Sequence, residues 1–259
     1  GGPPMTDRAM ELIVCAGQTL LENGGEVFRA QQTMEIMARS LGVEGFHVYV
    51  LTNGIFASAR GQDGGSVNLV RHVPLTSIHL GRVEAVNELS RELAGGQLDL
   101  DGAQQRLARA RALEETSPGA ERLACMTGSA CFAFLFGGTL PEVLLAAAAG
   151  LAESLLSQQF GKRRINRIFT DIVAAFLTTM LALCASRVLP ALDVNTTTIG
   201  ALMVLTPGVS LTMGIRDILN ADYLSGAIRL LDAVLIAGSL ACGVVLGWLA
   251  ARGLGVLLW

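Results

Sequence analysis

The first half of the chain alternates charged residues with short amphipathic stretches, and this pattern predicts helices. Apolar residues recur at helical spacing between residues 7 and 22, at Leu12, Ile13, Ala16 and Leu20. We expect this helix to end at the sequence NGG of residues 23–25, because glycine readily adopts the left-handed backbone that follows a helix. A second helix is expected from Glu26, with one apolar face formed by Val27, Met34, Met37 and Leu41.

Three strands are predicted next, and two helices after them. The strands are expected at 46–51, 54–59 and 67–73, the first with Phe46, Val48 and Val50 on one face. A glycine-rich turn over 61–66 joins the last two strands, and the helices are expected at 78–93 and 101–115. The pattern therefore predicts an α+β domain over residues 5–117, which is enough chain for a core of its own.

The second half of the chain consists of long apolar runs. Five of them have about 20 residues each, which at ~1.5 Å per residue spans the ~30 Å hydrocarbon layer of a bilayer. They are 123–140, 142–160, 168–189, 198–219 and 230–250. Gly243 and Gly247 in the last run have the four-residue spacing that lets helices approach closely. We therefore predict an all-α bundle of five transmembrane helices over residues 118–259.

The distribution of Lys and Arg predicts how these helices are oriented, because cytoplasmic connections retain positive charge. Basic residues are frequent before the first apolar run and in the connection over 161–167, and they occur between the fourth and fifth runs. The other two connections have none. This pattern places the N-terminal domain in the cytoplasm and the C-terminus outside, with Arg252 as the exception.

Among the acidic residues within the apolar runs, Glu153 and Asp171 are candidates for function, because a charge at the bilayer centre costs roughly 2.5 to 3.5 kcal/mol on insertion scales. Glu153 is the deeper one. It is either a carboxyl group that carries a proton or contacts a substrate, or a hydrogen-bonded packing residue. Asp171 lies one turn from Arg167, which predicts an ion pair at the interface; a role in proton coupling is the alternative.

The fourth apolar run contains Pro207 and Gly208 in the stretch VLTPGVSLTMGIRD. Proline lacks an N–H and clashes with the preceding turn, so the helix is expected to kink or unwind near Thr206. The N-terminus of the second half-helix would suit a substrate carboxylate. The candidate substrate-binding residues are Thr206, Pro207, Gly208, Ser210, Thr212 and Arg216. The alternative is an ordinary proline kink, with Arg216 as a cytoplasmic anchor.

Composition and charge exclude several classes of function. The chain has 259 residues, of which 51% are hydrophobic and 16% charged, and this balance is typical of a protein that is part soluble and part membrane. A net charge of -3 makes nucleic-acid binding improbable. The five cysteines have no metal-ligand spacing, and no catalytic triad or phosphate loop is visible. We expect no metal, no cofactor and no enzymatic activity.

Two motifs taken together resemble the threonine/serine exporter (ThrE-like) family. They are LLENGGEVFRAQQTMEIMARSLG followed by TNGIFAS, and PGVSLTMGIRDILNADYLSGAIRLLDA far downstream. The resemblance implies an exporter of small amino acids or small carboxylates in the bacterial inner membrane, with a cytoplasmic N-terminal domain. Glu26 and Arg29 are spaced for a surface ion pair. We assign Asn23, Glu26, Arg29 and Asn53 to a cytosolic gate.

The resemblance also implies a partner, because single-chain members carry a second membrane half after the region matched here. We therefore expect the larger component of a split pair, forming a hetero-oligomer with a small membrane protein. The substrate stays open between a dicarboxylate such as succinate and threonine or serine, with proton-linked export. The alternative function is a membrane-anchored regulatory or enzymatic cytosolic domain.

Overall fold

A computed structural model of the protein describes residues 5–61, 64–74, 78–114 and 116–253. The chain divides into two compact units. The first combines Gly1–Glu115 with Thr212–Arg229, and the second combines Thr116–Leu211 with Leu230–Trp259. A segment from the apolar half of the sequence thus belongs to the first unit, whereas the functional division at residues 117 and 118 stays a prediction.

The N-terminal part of the first unit has the predicted order of two helices, three strands and two helices. Its elements are α1 (Met5–Glu22), α2 (Val27–Ser40), β1 (His47–Leu51), β2 (Gly54–Arg60), β3 (Ser66–His72), α3 (Leu80–Ala94) and α4 (Leu100–Arg111). The predicted turn at 61–66 lies partly outside the described residues. The last helix ends at Arg111, earlier than expected.

The core of this unit is formed by the predicted apolar faces. Leu12, Ile13, Ala16 and Leu20 of α1 are all buried, as are Val27, Met34 and Met37 of α2. The two helices are close together, because a Cβ atom added at Gly17 would lie 2.3 Å from Met34 Sδ. The predicted helical faces are therefore confirmed except at Leu41, which follows the end of α2 and is half-buried.

The three strands form an antiparallel sheet in the order β1-β2-β3. One face contributes Val50, Ile55 and Ala57 to the core. The opposite face has a cross-strand row of exposed apolar side chains, Tyr49, Phe56 and Val70. The sheet therefore has one buried face, which accounts for the alternating pattern in the sequence.

The turn between α1 and α2 is held by glycine, as predicted. Gly24 has a φ of 89°, and the N–H of Gly25 donates to the carbonyl of Leu20 at 2.7 Å. A Cβ atom at Gly25 would lie 2.7 Å from that same carbonyl oxygen, so a larger residue does not fit. The chain therefore reverses tightly here and places Glu26 at the N-cap of α2.

The apolar half of the sequence forms six helices among the described residues. They are α5 (Pro118–Leu135), α6 (Leu140–Lys162), α7 (Arg167–Val188), α8 (Val194–Leu202), α9 (Gly208–Leu219) and α10 (Tyr223–Gly253). Of these, α6, α7 and α10 are long and apolar enough to cross a membrane. The first predicted run corresponds to the 18-residue helix α5, and the fourth is divided between α8 and α9.

The starts of α5 and α10 differ from the prediction for identifiable reasons. Helix α5 begins at Pro118 rather than at residue 123, because Ser117 caps it by accepting a hydrogen bond from the N–H of Ala120 at 3.3 Å. Helix α10 begins at Tyr223 rather than at residue 230, because Ser225, Gly226 and Arg229 in its first two turns interrupt the apolar run but not the helix. Hydropathy alone follows the apolar part of a helix and misses such extensions.

The last helix packs closely on α7 in the second unit, as its glycine spacing predicted. A Cβ atom at Gly243 would lie 2.3 Å from the carbonyl oxygen of Ile172. At Gly247 it would lie 2.9 Å from Cβ of Thr179. The two backbones can approach this closely only because both positions lack a side chain.

The predicted break in the fourth apolar run is confirmed. Helix α8 ends at Leu202 and α9 begins at Gly208. Between them, Thr206 Oγ1 donates to the carbonyl of Met203 at 2.6 Å, and Pro207 provides the carbonyl that accepts from the N–H of Leu211 at 3.0 Å. Proline thus forms the start of a new helix, a position where its missing N–H costs nothing.

Candidate functional site

The two motifs that carry the family resemblance meet within the first unit. The α1–α2 turn presents Glu26, whose side chain is 16% exposed, and Arg216 lies on α9. Arg216 Nη1 donates to Glu26 Oε1 at 2.6 Å. The predicted ion pair with Arg29 is also present, with Arg29 Nε 3.9 Å from Glu26 Oε2. Both carboxylate oxygens of Glu26 therefore face a guanidinium group.

A second arginine, Arg229, attaches α10 to the same turn, and the sequence analysis missed it. Its Nη2 donates to the carbonyl of Gly25 at 3.1 Å, and its Nη1 contacts Met213 Sδ at 3.1 Å. Arg229 Nε lies 3.1 Å from Asp217 Oδ2, and these two side chains are 14% and 1% exposed. An arginine between apolar residues in the sequence GAIRLLDA was the available signal.

Asn23 and Asn53, two of the predicted gate residues, lie in different surroundings. Asn23 is buried, and its Nδ2 donates to the carbonyl of Thr19 at 2.7 Å, while its Oδ1 is 3.5 Å from Arg82 Nη1. Asn53 is exposed in the β1–β2 turn, where its carbonyl accepts from the N–H of Val73 at 2.9 Å. Within the described ranges, no hydrogen bond joins Asn53 to the other three gate residues.

A polar cavity of about 430 Å³ opens beside the Glu26–Arg216 pair. Its cationic side chains are Arg29 and Arg216, together with Arg91 of α3, which the sequence analysis did not identify. Glu26 is the acidic residue of its lining, and the remaining lining includes amide and hydroxyl groups. This cavity is large enough for a small metabolite.

The second unit contains Glu153, the predicted proton-coupling residue on α6. Its side chain is buried, and Thr178 Oγ1 of α7 donates to its Oε1 at 2.7 Å. No hydrogen bond to Oε2 occurs within the described part of the chain. A cavity of about 290 Å³ adjoins the pair, and its other lining residues are apolar: Ala149, Ala152, Leu156, Ala174, Leu177 and Leu181.

Asp171, the second predicted coupling residue, lies on α7 and is 5% exposed. Its Oδ2 is 3.7 Å from Arg167 Nε, so the predicted ion pair is confirmed. Asp171 and Thr178 are seven positions apart, which places them on one face of the helix two turns from each other. Any transport role of Asp171 stays a prediction.

The predicted substrate-binding residues follow one another along the break and α9. Thr206 and Pro207 precede the helix, Gly208 is its first residue, and Ser210 and Thr212 lie in its first two turns. Arg216 lies on the last half of α9, where it pairs with Glu26. The pairing of Arg216 with Glu26 was not predicted, and the role of these six residues in substrate binding stays a prediction.

Comparison with known proteins identifies the family. Residues 11–250 match ThrE, the family described as "Putative threonine/serine exporter". No curated protein and no solved structure matched the chain. The matched range includes both resemblance motifs, all of α6 and α7, and α10 up to residue 250. This chain is a membrane protein, a transporter rather than an enzyme, and it belongs to the threonine/serine exporter (ThrE) family.

Proposed function

We propose that this protein exports a small carboxylate or amino acid across the bacterial inner membrane, with export linked to protons. The observation that carries this proposal is the buried Glu153 on α6, with its hydrogen bond from Thr178 and the adjoining apolar cavity. A helix that serves only as an anchor has no use for a buried carboxyl group, which is costly within a bilayer. A carboxyl group that binds and releases a proton during transport, in contrast, has to lie within the membrane domain.

The Pro207–Gly208 break supports a substrate path in the same protein. Helix α9 begins at Gly208, and a helix N-terminus attracts negative charge because the aligned peptide dipoles are positive at that end. Ser210 and Thr212 provide hydroxyl groups in its first two turns. We propose that residues 206–212 contact the carboxylate of the substrate, and that Arg216 attracts anions from the cytoplasmic side.

We propose a topology in which all five apolar runs cross the membrane, two in addition to the three long helices. The N-terminal domain would lie in the cytoplasm and the C-terminus outside. The distribution of Lys and Arg in the connections supports this orientation. Cysteine accessibility measured from each side of the membrane would test it, with residues 137 and 191 expected to react from outside and residue 164 from the cytoplasm.

We further propose that a small membrane protein works with this chain as a hetero-oligomer. The support is the resemblance to two-component exporters. Reconstitution of the purified chain with and without such a partner measures its contribution. Full transport by the chain alone would rule the partner out as a required component.

The main test is efflux of labelled succinate, threonine and serine from cells that lack their own exporters. Expression of the protein should accelerate efflux of at least one of them. Glu153→Gln should lower export at least tenfold and abolish its dependence on the proton gradient, because the amide still accepts the Thr178 hydrogen bond but does not titrate. The matched control is Glu121→Gln on α5. Glu121 is exposed, and the variant should export normally.

The outcomes separate the alternatives. An unchanged response of Glu153→Gln to the proton gradient would remove Glu153 from the mechanism. Unchanged efflux of all three compounds, with and without a partner, would contradict export and favour a membrane-anchored regulatory or enzymatic domain.

A further inference from the structure

The polar cavity of the first unit is lined by none of residues 206–212. Its walls come from α2, α3 and α9, and its volume of about 430 Å³ falls in the range of small-molecule sites. Three of its lining residues are arginines and one is a glutamate, so the charged side chains around it carry a net charge of +2. In a chain with an overall charge of -3, this is a local concentration of positive charge.

The hydrogen-bonding capacity of the cavity is largely unused. Arg91 forms no hydrogen bond or ion pair through its guanidinium group with any described residue, although it lies one helical turn from Asn87 on the same face of α3. Between them in sequence, Ser90 is 5% exposed, and Thr33 of α2 on the opposite wall is 7% exposed. Arg91 is an exposed residue of the cavity lining, so its guanidinium donors are open to a ligand.

The negative charge of the cavity is already neutralised. One carboxylate oxygen of Glu26 accepts a hydrogen bond from Arg216, and the other oxygen forms an ion pair with Arg29. It therefore has little capacity left for the ammonium group of an amino acid. The groups that remain available are the guanidinium of Arg91 and the neutral donors around it, and these suit a carboxylate, which accepts hydrogen bonds through both oxygens.

We propose that this cavity binds a small organic dianion, with Arg91 as the main carboxylate-binding residue and Asn87 and Ser90 as further hydrogen-bond donors. This proposal rests on the proposed export function. A positively charged cytosolic cavity that collects the substrate favours a dicarboxylate over a zwitterionic amino acid. Glu26 limits the net charge of the lining side chains to +2, which matches the charge of a dianion in magnitude.

The test is direct binding to the purified full chain in detergent, by isothermal titration with succinate and with threonine as separate probes. Succinate should bind and threonine should not compete with it. Arg91→Gln should weaken succinate binding at least tenfold, because it removes a charge-assisted hydrogen bond. Arg109→Gln on α4, an exposed arginine outside the cavity, is the matched control and should bind as the wild type does.

Glu26→Gln distinguishes the two ligand classes by the direction of its effect. It raises the net charge of the cavity to +3, so succinate should bind several-fold more tightly. A site that used Glu26 to hold an ammonium group would instead lose threonine affinity. Thermal melting of each variant establishes that it is folded, and Asn87→Leu provides a second loss-of-binding variant that leaves the charge unchanged.

Several results would overturn this inference. They are the absence of succinate binding to the wild type at millimolar concentration, equal binding by the Arg91→Gln and Arg109→Gln variants, or threonine binding that Glu26→Gln weakens. Export is measured separately in cells. Arg91-dependent binding in a protein that exports nothing would contradict the proposed export function but not the binding site. Export without Arg91-dependent binding would contradict the binding site but not the export function.

Discussion

Arg216 Nη1 lies 2.6 Å from Glu26 Oε1, although the two residues are 190 positions apart in the chain. The contact joins a helix from the apolar half of the sequence to the first turn of α2. Arg229 makes a second attachment beside it, to the carbonyl of Gly25. The α9–α10 segment and the α1–α2 turn are thus held together at two adjacent residues, and the two attachments differ in burial.

That difference predicts unequal effects on stability. Arg229→Met should destabilise the protein by about 3–5 kcal/mol, because it leaves the buried Asp217 carboxylate without its cation. Arg216→Met on α9 is the matched control and should cost at most about 1 kcal/mol, since Arg216 is half exposed and solvent screens its charge. Chemical denaturation of the full chain in detergent compares the two. Equal losses of stability would contradict the expectation that the buried Arg229 contributes more to stability than Arg216.

The close contact between α7 and α10 predicts a large difference between two glycines of one helix. Gly243→Ala should destabilise the helical unit by about 1–3 kcal/mol, because the new Cβ atom meets the backbone carbonyl of Ile172. Gly238→Ala has no atom within 4 Å of the added Cβ and should be neutral or stabilising. Unfolding in increasing detergent or denaturant measures both. A neutral Gly243→Ala variant would mean that the helices are further apart than described.

The cavity beside Glu153 predicts an effect of bulk alone. Ala152→Phe should fill much of the space of about 290 Å³ and reduce export at least tenfold, without altering any titratable group. Ala148→Phe, at an exposed position one turn earlier on α6, adds the same side chain outside this cavity and should retain export. Efflux is normalised to the amount of protein in the membrane. Normal export by Ala152→Phe would exclude the cavity from the transport path.

The pH dependence of stability should change when Glu92 of α3 is replaced. A hydrogen bond from Arg106, and the positive charge of that residue, hold the pKa of Glu92 below its ordinary value of 4.5. A lowered folded-state pKa adds stability above the unfolded value, and that contribution disappears as the pH falls through the folded value. Glu92→Gln should therefore reduce the dependence of the melting temperature on pH below about pH 4.5.

Glu88→Gln is the control for this measurement. Glu88 lies 3.8 Å from the same arginine, whereas Glu92 Oε1 lies 2.8 Å from it. The control variant should keep most of the acid dependence of the wild type. Identical melting curves for the two variants between pH 3 and 7 would show that the Glu92–Arg106 pair contributes no more to the acid dependence of stability than the Glu88–Arg106 pair does.

The elements of this fold could be predicted where a repeating pattern governs them. The buried face of α1 follows from the spacing of Leu12, Ile13, Ala16 and Leu20, and the break before α9 follows from the chemistry of Pro207. The ends of α5 and α10 could not be predicted from hydropathy, because caps and polar first turns decide them.

The candidate sites were predictable only in part. Glu153 was evident as an acidic residue in an apolar run, but its partner Thr178 was not, because a threonine is common in such helices. The pairing of Glu26 with Arg216 left no local sign, since a contact between distant residues imposes no period on the sequence. Arg91 resembles any surface arginine until α2 and α9 are placed beside it.

The bond from Arg229 to Gly25 ends on a main-chain carbonyl, and this has a consequence for how the protein can vary. No side chain at position 25 takes part, so the attachment depends on the path of the backbone. Gly24, with its φ of 89°, sets that path. A substitution at Gly24 would therefore redirect the acceptor oxygen and loosen the first turns of α10, although the altered residue touches neither α10 nor Arg229 through its own side chain.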